Sequence, residues 1–86
     1  MTGMDALDGN AIAGQLVGVF GREMTTATGE CGRCGRRGPV AEVAVYLRAP
    51  GSVARCRVCD NVLMVLVAVR GYTVVDLRGM SALEPA

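Results

Sequence analysis

Four cysteines in two closely spaced pairs are the residues of this chain with the most evident chemistry. The pairs are Cys31-Gly-Arg-Cys34 and Cys56-Arg-Val-Cys59, and twenty-one residues separate the two inner cysteines. A two-residue spacing lets one tight turn aim both sulfurs of a pair at the same ion, so the doubled pattern predicts a tetrahedral four-thiolate metal site. Histidine is absent from the sequence. The predicted ligands are therefore Cys31, Cys34, Cys56 and Cys59.

Zinc is the metal that the sequence favours. Four cysteines hold either zinc or a single iron, so the ligand set alone does not separate the two. The first pair has some similarity to a rubredoxin metal-binding turn, but Arg57 and Asp60 stand where rubredoxins carry proline and glycine. Aromatic residues, which fill rubredoxin cores, make up only 3% of the chain. We expect one Zn²⁺ per chain, with iron as the less favoured alternative.

The same ligand set argues against catalysis. A catalytic zinc keeps one coordination position open for water, whereas four cysteines close the site. Without histidine the commonest general base is also missing. We expect a protein that is not an enzyme, with no catalytic residues and no small-molecule substrate. Thiol redox chemistry through released zinc remains an open, less favoured alternative.

The basic residues are all arginines and are concentrated around the cysteines. Residues 31–59 carry a net charge of +5, against −3 for residues 1–30 and −1 for residues 60–86. They could offset the negative charge of a four-thiolate site, or they could bind an anion or nucleic acid. The overall charge is only +1, and only two tyrosines are available for base stacking. Both facts favour charge compensation at the metal site over nucleic-acid binding. The candidate anion or nucleic-acid contacts are Arg33, Arg36, Arg37, Arg55 and Arg57.

A short amphipathic helix is predicted over residues 5–20, before the cysteines. Asp5 is placed to cap it, and apolar residues recur at helical spacing along one side. Gly14 and Gly18 predict close packing of this helix against a sheet of the same domain. Gly21 predicts its end.

Strands are predicted on both sides of the second cysteine pair. Residues 40–48 alternate in polarity, and residues 62–69 form a continuous apolar run expected to be covered on both faces. Turns are predicted at residues 49–52 and 70–71, followed by a partner strand over residues 72–78. Residues 79–86 have no strand pattern and predict a loose tail.

Each metal-binding turn is expected to need a positive φ just after its second cysteine. Gly35 adopts that conformation without steric cost. Asp60 occupies the equivalent position in the second turn and is a poorer candidate, although Asp adopts positive φ more often than most residues.

These elements predict one small α+β domain over residues 1–86. Residues 5–20 form the helix, residues 30–78 a zinc ribbon of antiparallel hairpins with two C-x2-C turns, and residues 79–86 the tail. A core this small supplies little net stability, which is why a structural metal is expected. The acidic N-terminus does not resemble a signal peptide, and the longest apolar run of eight residues is too short to span a membrane. We expect a cytoplasmic protein with reduced cysteines and no membrane contact.

Several segments together resemble a known family. The opening segment 5–14, the stretch 25–29, the two cysteine pairs and Val75-Asp-Leu-Arg-Gly79 are similar to a small, mainly actinobacterial zinc-ribbon family of unknown function. The resemblance covers most of the chain. It implies the four cysteines as metal ligands and implies no activity.

The sequence therefore favours a non-catalytic zinc-binding module that binds another protein. The alternative is a nucleic-acid-binding zinc ribbon, active in transcription or regulation through the arginine cluster. A rubredoxin-like or thiol redox protein is the third hypothesis. Fold alone does not decide among them.

Overall fold

One helix and two antiparallel sheets form the computed structural model, which describes residues 6–48 and 50–86. The small sheet has the strand order β2-β1-β7, with β1 at Thr28–Cys31, β2 at Arg37–Pro39 and β7 at Met80–Glu84. The large sheet has the order β3-β4-β5-β6, with β3 at Ala44–Arg48, β4 at Gly51–Arg55, β5 at Val62–Val69 and β6 at Tyr72–Asp76. The predicted small α+β fold with antiparallel hairpins is confirmed.

The N-terminal helix is shorter than predicted. A 3₁₀ turn at Gly9–Ile12 precedes the α-helix, α1, at Ala13–Phe20. The Asp8 carboxylate caps this turn by accepting the N–H of Asn10 at 3.0 Å, whereas the predicted cap, Asp5, lies outside the described residues. Gly21 ends α1 with φ 72°, as predicted. No helix in the described ranges combines the length and apolar character that crossing a membrane requires.

The core lies between α1, the small sheet and one face of the large sheet, which we call the inner face. Ile12 and Leu16 from the helical segment are at most 1% exposed and pack with Val45, Met64 and Leu66 of the inner face. Full burial of such aliphatic side chains contributes roughly 1.5–3 kcal/mol each. The glycine-rich helix is therefore held by this packing, since glycine disfavours helix by about 1 kcal/mol relative to alanine.

The opposite, outer face of the large sheet is largely open. The strand β5 has the predicted bounds, but the prediction that both of its faces are covered is wrong, because Val69 is 44% exposed. The pairing register places Val53 next to Val65, and Val67 next to Val74. These four valines are half-buried or exposed. The outer face is thus valine-rich along β5 and β6, whereas along β3 and β4 it also carries Tyr46, Arg48 and Arg55.

Residues 80–84 correct the prediction of a loose tail at residues 79–86. They form β7, which pairs with β1 so that Thr28 opposes Glu84 and Cys31 opposes Met80. Met80 and Leu83 also pack against the core. The predicted ribbon, residues 30–78, therefore extends to residue 84, because its third small-sheet strand comes from a segment distant in sequence.

Two predicted strands are shorter than expected because local turns interrupt them. The segment Val40–Glu42 forms a 3₁₀ turn instead of the start of β3. The strand β6 ends at Asp76, whose carboxylate accepts the backbone N–H of Arg78 at 2.9 Å. The Arg70-Gly71 turn between β5 and β6 is as predicted, with φ 50° and 84°.

The glycines that matter for close packing are not those predicted. A Cβ at Gly14 or Gly18 would have no neighbour within 4 Å, so the predicted close contact of these glycines with a sheet is wrong. A Cβ at Gly79 would lie 1.7 Å from the carbonyl oxygen of Val62. Because that neighbour is backbone, the chain at Gly79 tolerates no side chain without moving β5.

The variants Gly79→Ala and Gly18→Ala are expected to change stability in opposite directions. Gly79→Ala forces the backbone apart and should lower the free energy of unfolding by several kcal/mol, at the upper end of single-residue effects. Gly18→Ala lies on an exposed helix surface and should raise it by up to about 1 kcal/mol. Urea unfolding of the metal-loaded proteins measures both changes, and equal stabilities of the two variants would contradict the packing described for Gly79.

Candidate metal centre

The two cysteine pairs lie in turns that belong to different sheets. The first turn, residues 31–34, joins β1 to β2 of the small sheet, and Cys31 is the last residue of β1. The second turn, residues 56–59, joins β4 to β5 of the large sheet. The site at which these turns meet is therefore also a junction between the two sheets.

All four predicted ligands are brought together. The sulfur of Cys31 lies 3.7 Å from that of Cys59, and the sulfur of Cys34 lies 3.6 Å from that of Cys56. No two of the four sulfurs are more than 4.8 Å apart. A tetrahedron with metal–sulfur bonds of about 2.3 Å has sulfur–sulfur edges of about 3.8 Å. A disulfide bond requires a sulfur–sulfur distance of about 2.05 Å, which is much shorter than these. The spacing thus suits four thiolates around one metal ion.

The backbone of each turn closes in the same way. The N–H of Gly35 donates to the carbonyl of Cys31 at 3.0 Å, and the N–H of Asp60 donates to the carbonyl of Cys56 at 2.9 Å. Gly35 and Asp60 have φ values of 80° and 65°, so the predicted positive φ is confirmed in both turns. Asp60 adopts it as a non-glycine residue, which is uncommon and costs some strain.

Backbone N–H groups also point at the sulfurs. Arg33 donates to the sulfur of Cys31 at 3.4 Å, and Val58 donates to the sulfur of Cys56 at 3.4 Å. The two turns are therefore near copies of each other around the metal position. Such donors favour the charged thiolate over the thiol, which is the form that binds metal.

Asn61 and Gly79 are part of the site, although sequence reasoning did not assign them to it. The side-chain amide of Asn61 donates to the sulfur of Cys31 at 3.6 Å and to the carbonyl of Gly79 at 3.2 Å. The same carbonyl accepts the N–H of Gly32 at 2.9 Å. Asn61 thus links the second turn to a ligand in the first. The only sequence signal for it was its position two residues after Cys59.

The four thiols differ in acidity. Burial raises the pKa of Cys31, but the N–H groups of Cys34, Arg33 and Asn61 outweigh it and lower that pKa to about 6. The pKa of Cys34 is lowered by the N–H of Arg36, yet burial and the neighbouring thiols raise it to about 11. Four sulfurs sharing one small volume therefore do not all ionise readily without a cation among them.

Most of the candidate anion-binding arginines contact groups of the protein itself. Arg37 forms ion pairs with Glu30 and Glu84 across the small sheet. Arg36 pairs with Glu42 at 3.1 Å, and Arg57 donates to the Glu42 carbonyl at 2.6 Å. Each cysteine turn is thus tied to the same short 3₁₀ segment.

The remaining two candidates differ from each other. Arg55 donates to the Asp60 carbonyl at 2.9 Å, within its own turn region. Arg33 is exposed at the tip of the first turn, where its backbone N–H donates to the sulfur of Cys31. Four of the five candidate arginines therefore bind acidic side chains or backbone carbonyls of the protein through their own side chains.

The chain can be placed in a family by its sequence. A family model matches residues 3–86 of the 86. The chain belongs to the family of unknown function DUF6510. Membership in DUF6510 agrees with the expectation of a family of unknown function and supplies no activity. A search of curated proteins and a search of solved structures found no match.

Replacing Asn61 tests its link to the metal ligands. Asn61→Ala removes the N–H donor to Cys31, and loss of such an outer contact is expected to weaken metal binding roughly tenfold or more. Competition with a chromophoric zinc chelator measures the affinity. Asn10→Ala is the matched control, because Asn10 is the only other asparagine and lies exposed in the N-terminal 3₁₀ turn. Equal affinities for the two variants would remove Asn61 from the site.

Metal affinity is expected to fall on acidification. Because the pKa of Cys34 is about 11, this thiol is protonated near neutral pH and must lose its proton when a metal binds. For each proton that binding releases, the apparent zinc affinity should increase roughly tenfold per unit rise in pH. Titration calorimetry in two buffers of different ionisation enthalpy counts the protons. Binding without proton release would contradict thiolate ligation.

Proposed function

We propose that the protein is a non-catalytic zinc-binding interaction module in which one zinc ion holds the fold together. The observation that carries this proposal is the arrangement of the four cysteine sulfurs, with 3.6 and 3.7 Å between partners from opposite turns. Every position of a tetrahedral ion would be taken by protein, which leaves none for substrate. A structural ion in a domain of this size is worth on the order of 10 kcal/mol of folding free energy.

Zinc is proposed over iron because few aromatic residues surround the site. Spacing alone does not distinguish them. The chain has one Phe and two Tyr, and the core around the site is aliphatic. The proposal includes a cytoplasmic location, because reducing conditions preserve thiolate ligands. It also includes the bacterial source that the sequence resemblance implies.

A protein partner is favoured over nucleic acid by the surface chemistry. The outer face of the large sheet presents valines and tyrosines, including Val74 and Tyr72, which are 56% and 76% exposed. Exposed aromatic and aliphatic groups are typical of protein contacts. Three of the five candidate arginines, Arg36, Arg37 and Arg55, are paired with carboxylates of the protein, which reduces the charge available to phosphates.

Native mass spectrometry of protein purified without added metal tests the metal assignment. We expect one zinc per chain and four reduced thiols in a denatured control. Cys59→Ser should lose the metal and the cooperative thermal transition, whereas Ser81→Cys, which adds a thiol outside the site, should keep both. Bound iron, or a metal-free chain with two disulfides, would overturn the structural-zinc proposal and favour the redox hypothesis.

The same preparations distinguish the two partner classes. Anisotropy of a labelled oligonucleotide should show weak binding that changes little between low and physiological salt. Tight binding that falls steeply with salt, and that weakens further in Arg33→Ala, would establish the nucleic-acid alternative instead.

A further inference from the structure

The free edge of the large sheet carries an inference that does not depend on the metal. The strand β6 pairs with β5 on one side, and within the described residues no strand pairs with its other side. Its sequence is Tyr-Thr-Val-Val-Asp, and β-branched and aromatic residues are those that favour strand pairing.

The hairpin geometry shows which backbone groups of β6 point outward. A two-residue turn makes Val69 and Tyr72 the hydrogen-bonded closing pair, and bonded and non-bonded pairs alternate from there. Thr73 and Val75 are consequently the residues whose N–H and C=O groups face away from β5. The bond from the N–H of Ala68 to the carbonyl of Pro50, at 3.0 Å on the other side of β5, agrees with this phase.

Other strand edges in the described part of the chain have features that discourage pairing. The edge strand β2 contains Pro39, and β7 ends in the charged Glu84 and is followed by Pro85. The edge of β3 is partly covered by Leu7, which exchanges two hydrogen bonds with Val45 at 2.8 and 2.9 Å. Proline, charge and covering segments are common devices against edge-to-edge association. The edge of β6 has no proline, and its one charged residue, Asp76, is at its end.

We propose that β6 pairs antiparallel with β6 of a second copy of this chain, about a two-fold axis at Val74, and joins the two large sheets into one eight-stranded sheet. This register sets Thr73 opposite Val75 of the second copy and uses every outward backbone group of those two residues. The self-complementary pattern is the one a two-fold dimer requires.

The side chains fit the same register. On the outer face, Val74 meets Val74 of the second copy, which covers a side chain that is 56% exposed in the single chain. Tyr72, which is 76% exposed, lies opposite Asp76 of the second copy, whose carboxylate also pairs with Arg78 of its own chain at 2.7 Å. A phenol O–H is a donor for a carboxylate. Cross-strand pairs of these kinds stabilise paired strands, in addition to the backbone hydrogen bonds between them.

Sedimentation velocity of the zinc-loaded full chain tests the dimer, at concentrations up to the order of 100 μM, where weak complexes of this kind assemble. Val74→Arg places two like charges face to face on the axis, at about 4.5 Å between Cα atoms, and should weaken the dimer at least tenfold. Leu47→Arg is the matched control, because Leu47 is also 56% exposed but lies on β3, at the far edge of the same sheet. The Leu47→Arg variant should dimerise with the same affinity as the unaltered protein.

Thr73→Pro provides a second test, since it removes an outward N–H while leaving the bonds to β5 in place. Circular dichroism and zinc content of each variant confirm that the fold is kept. A dimer that persists in both Val74→Arg and Thr73→Pro would overturn the proposal. A monomeric unaltered protein with full zinc would also overturn it, and would leave the metal assignment intact.

Discussion

The fold depends on the requirement that four sulfurs, two from each sheet, meet at one point. Like charges so close together repel strongly unless a cation lies among them. The small sheet supplies Cys31 and Cys34, and the large sheet supplies Cys56 and Cys59. The buried core is built from aliphatic residues and methionines, and the core of a chain of this length supplies little net stability. A metal at the junction would therefore fix the relative position of the sheets, and the hydrogen bonds from Asn61 and Gly32 to the Gly79 carbonyl reinforce that position.

Local chemistry explains which features could be predicted. The C-x2-C spacing identified the ligands because two intervening residues form one tight turn, which directs both sulfurs to the same ion. Gly35 and Asp60 were identified because the position after such a turn has a fixed backbone requirement, and their φ values of 80° and 65° meet it. The bounds of β5 followed from its continuous apolar run. In each of these cases the determining interactions lie within a few residues of one another.

Long-range contacts explain the rest. The strand β7 gains its structure from pairing with β1, with Glu84 opposite Thr28, and its own residues show no strong alternation. Asn61 reaches a sulfur in the other turn, and no spacing rule marks a ligand contact of that kind. Arginines near the cysteines suggested an anion site by composition. Arg37 instead binds Glu30, which becomes its neighbour only through the pairing of β1 with β2.

The two metal-binding turns differ in how their surroundings assemble. The second lies between β4 and β5, which are neighbours in sequence and form a local hairpin with β3 and β6 alongside. The first joins β1 to β2, which also form a local hairpin, but β1 has a second partner, β7, from the far end of the described chain. Closing that long loop carries a larger entropic cost and slows folding. The pairing of β7 with β1 is therefore expected to follow the two local hairpins, and it brings the Gly79 carbonyl to Asn61 beside the cysteines.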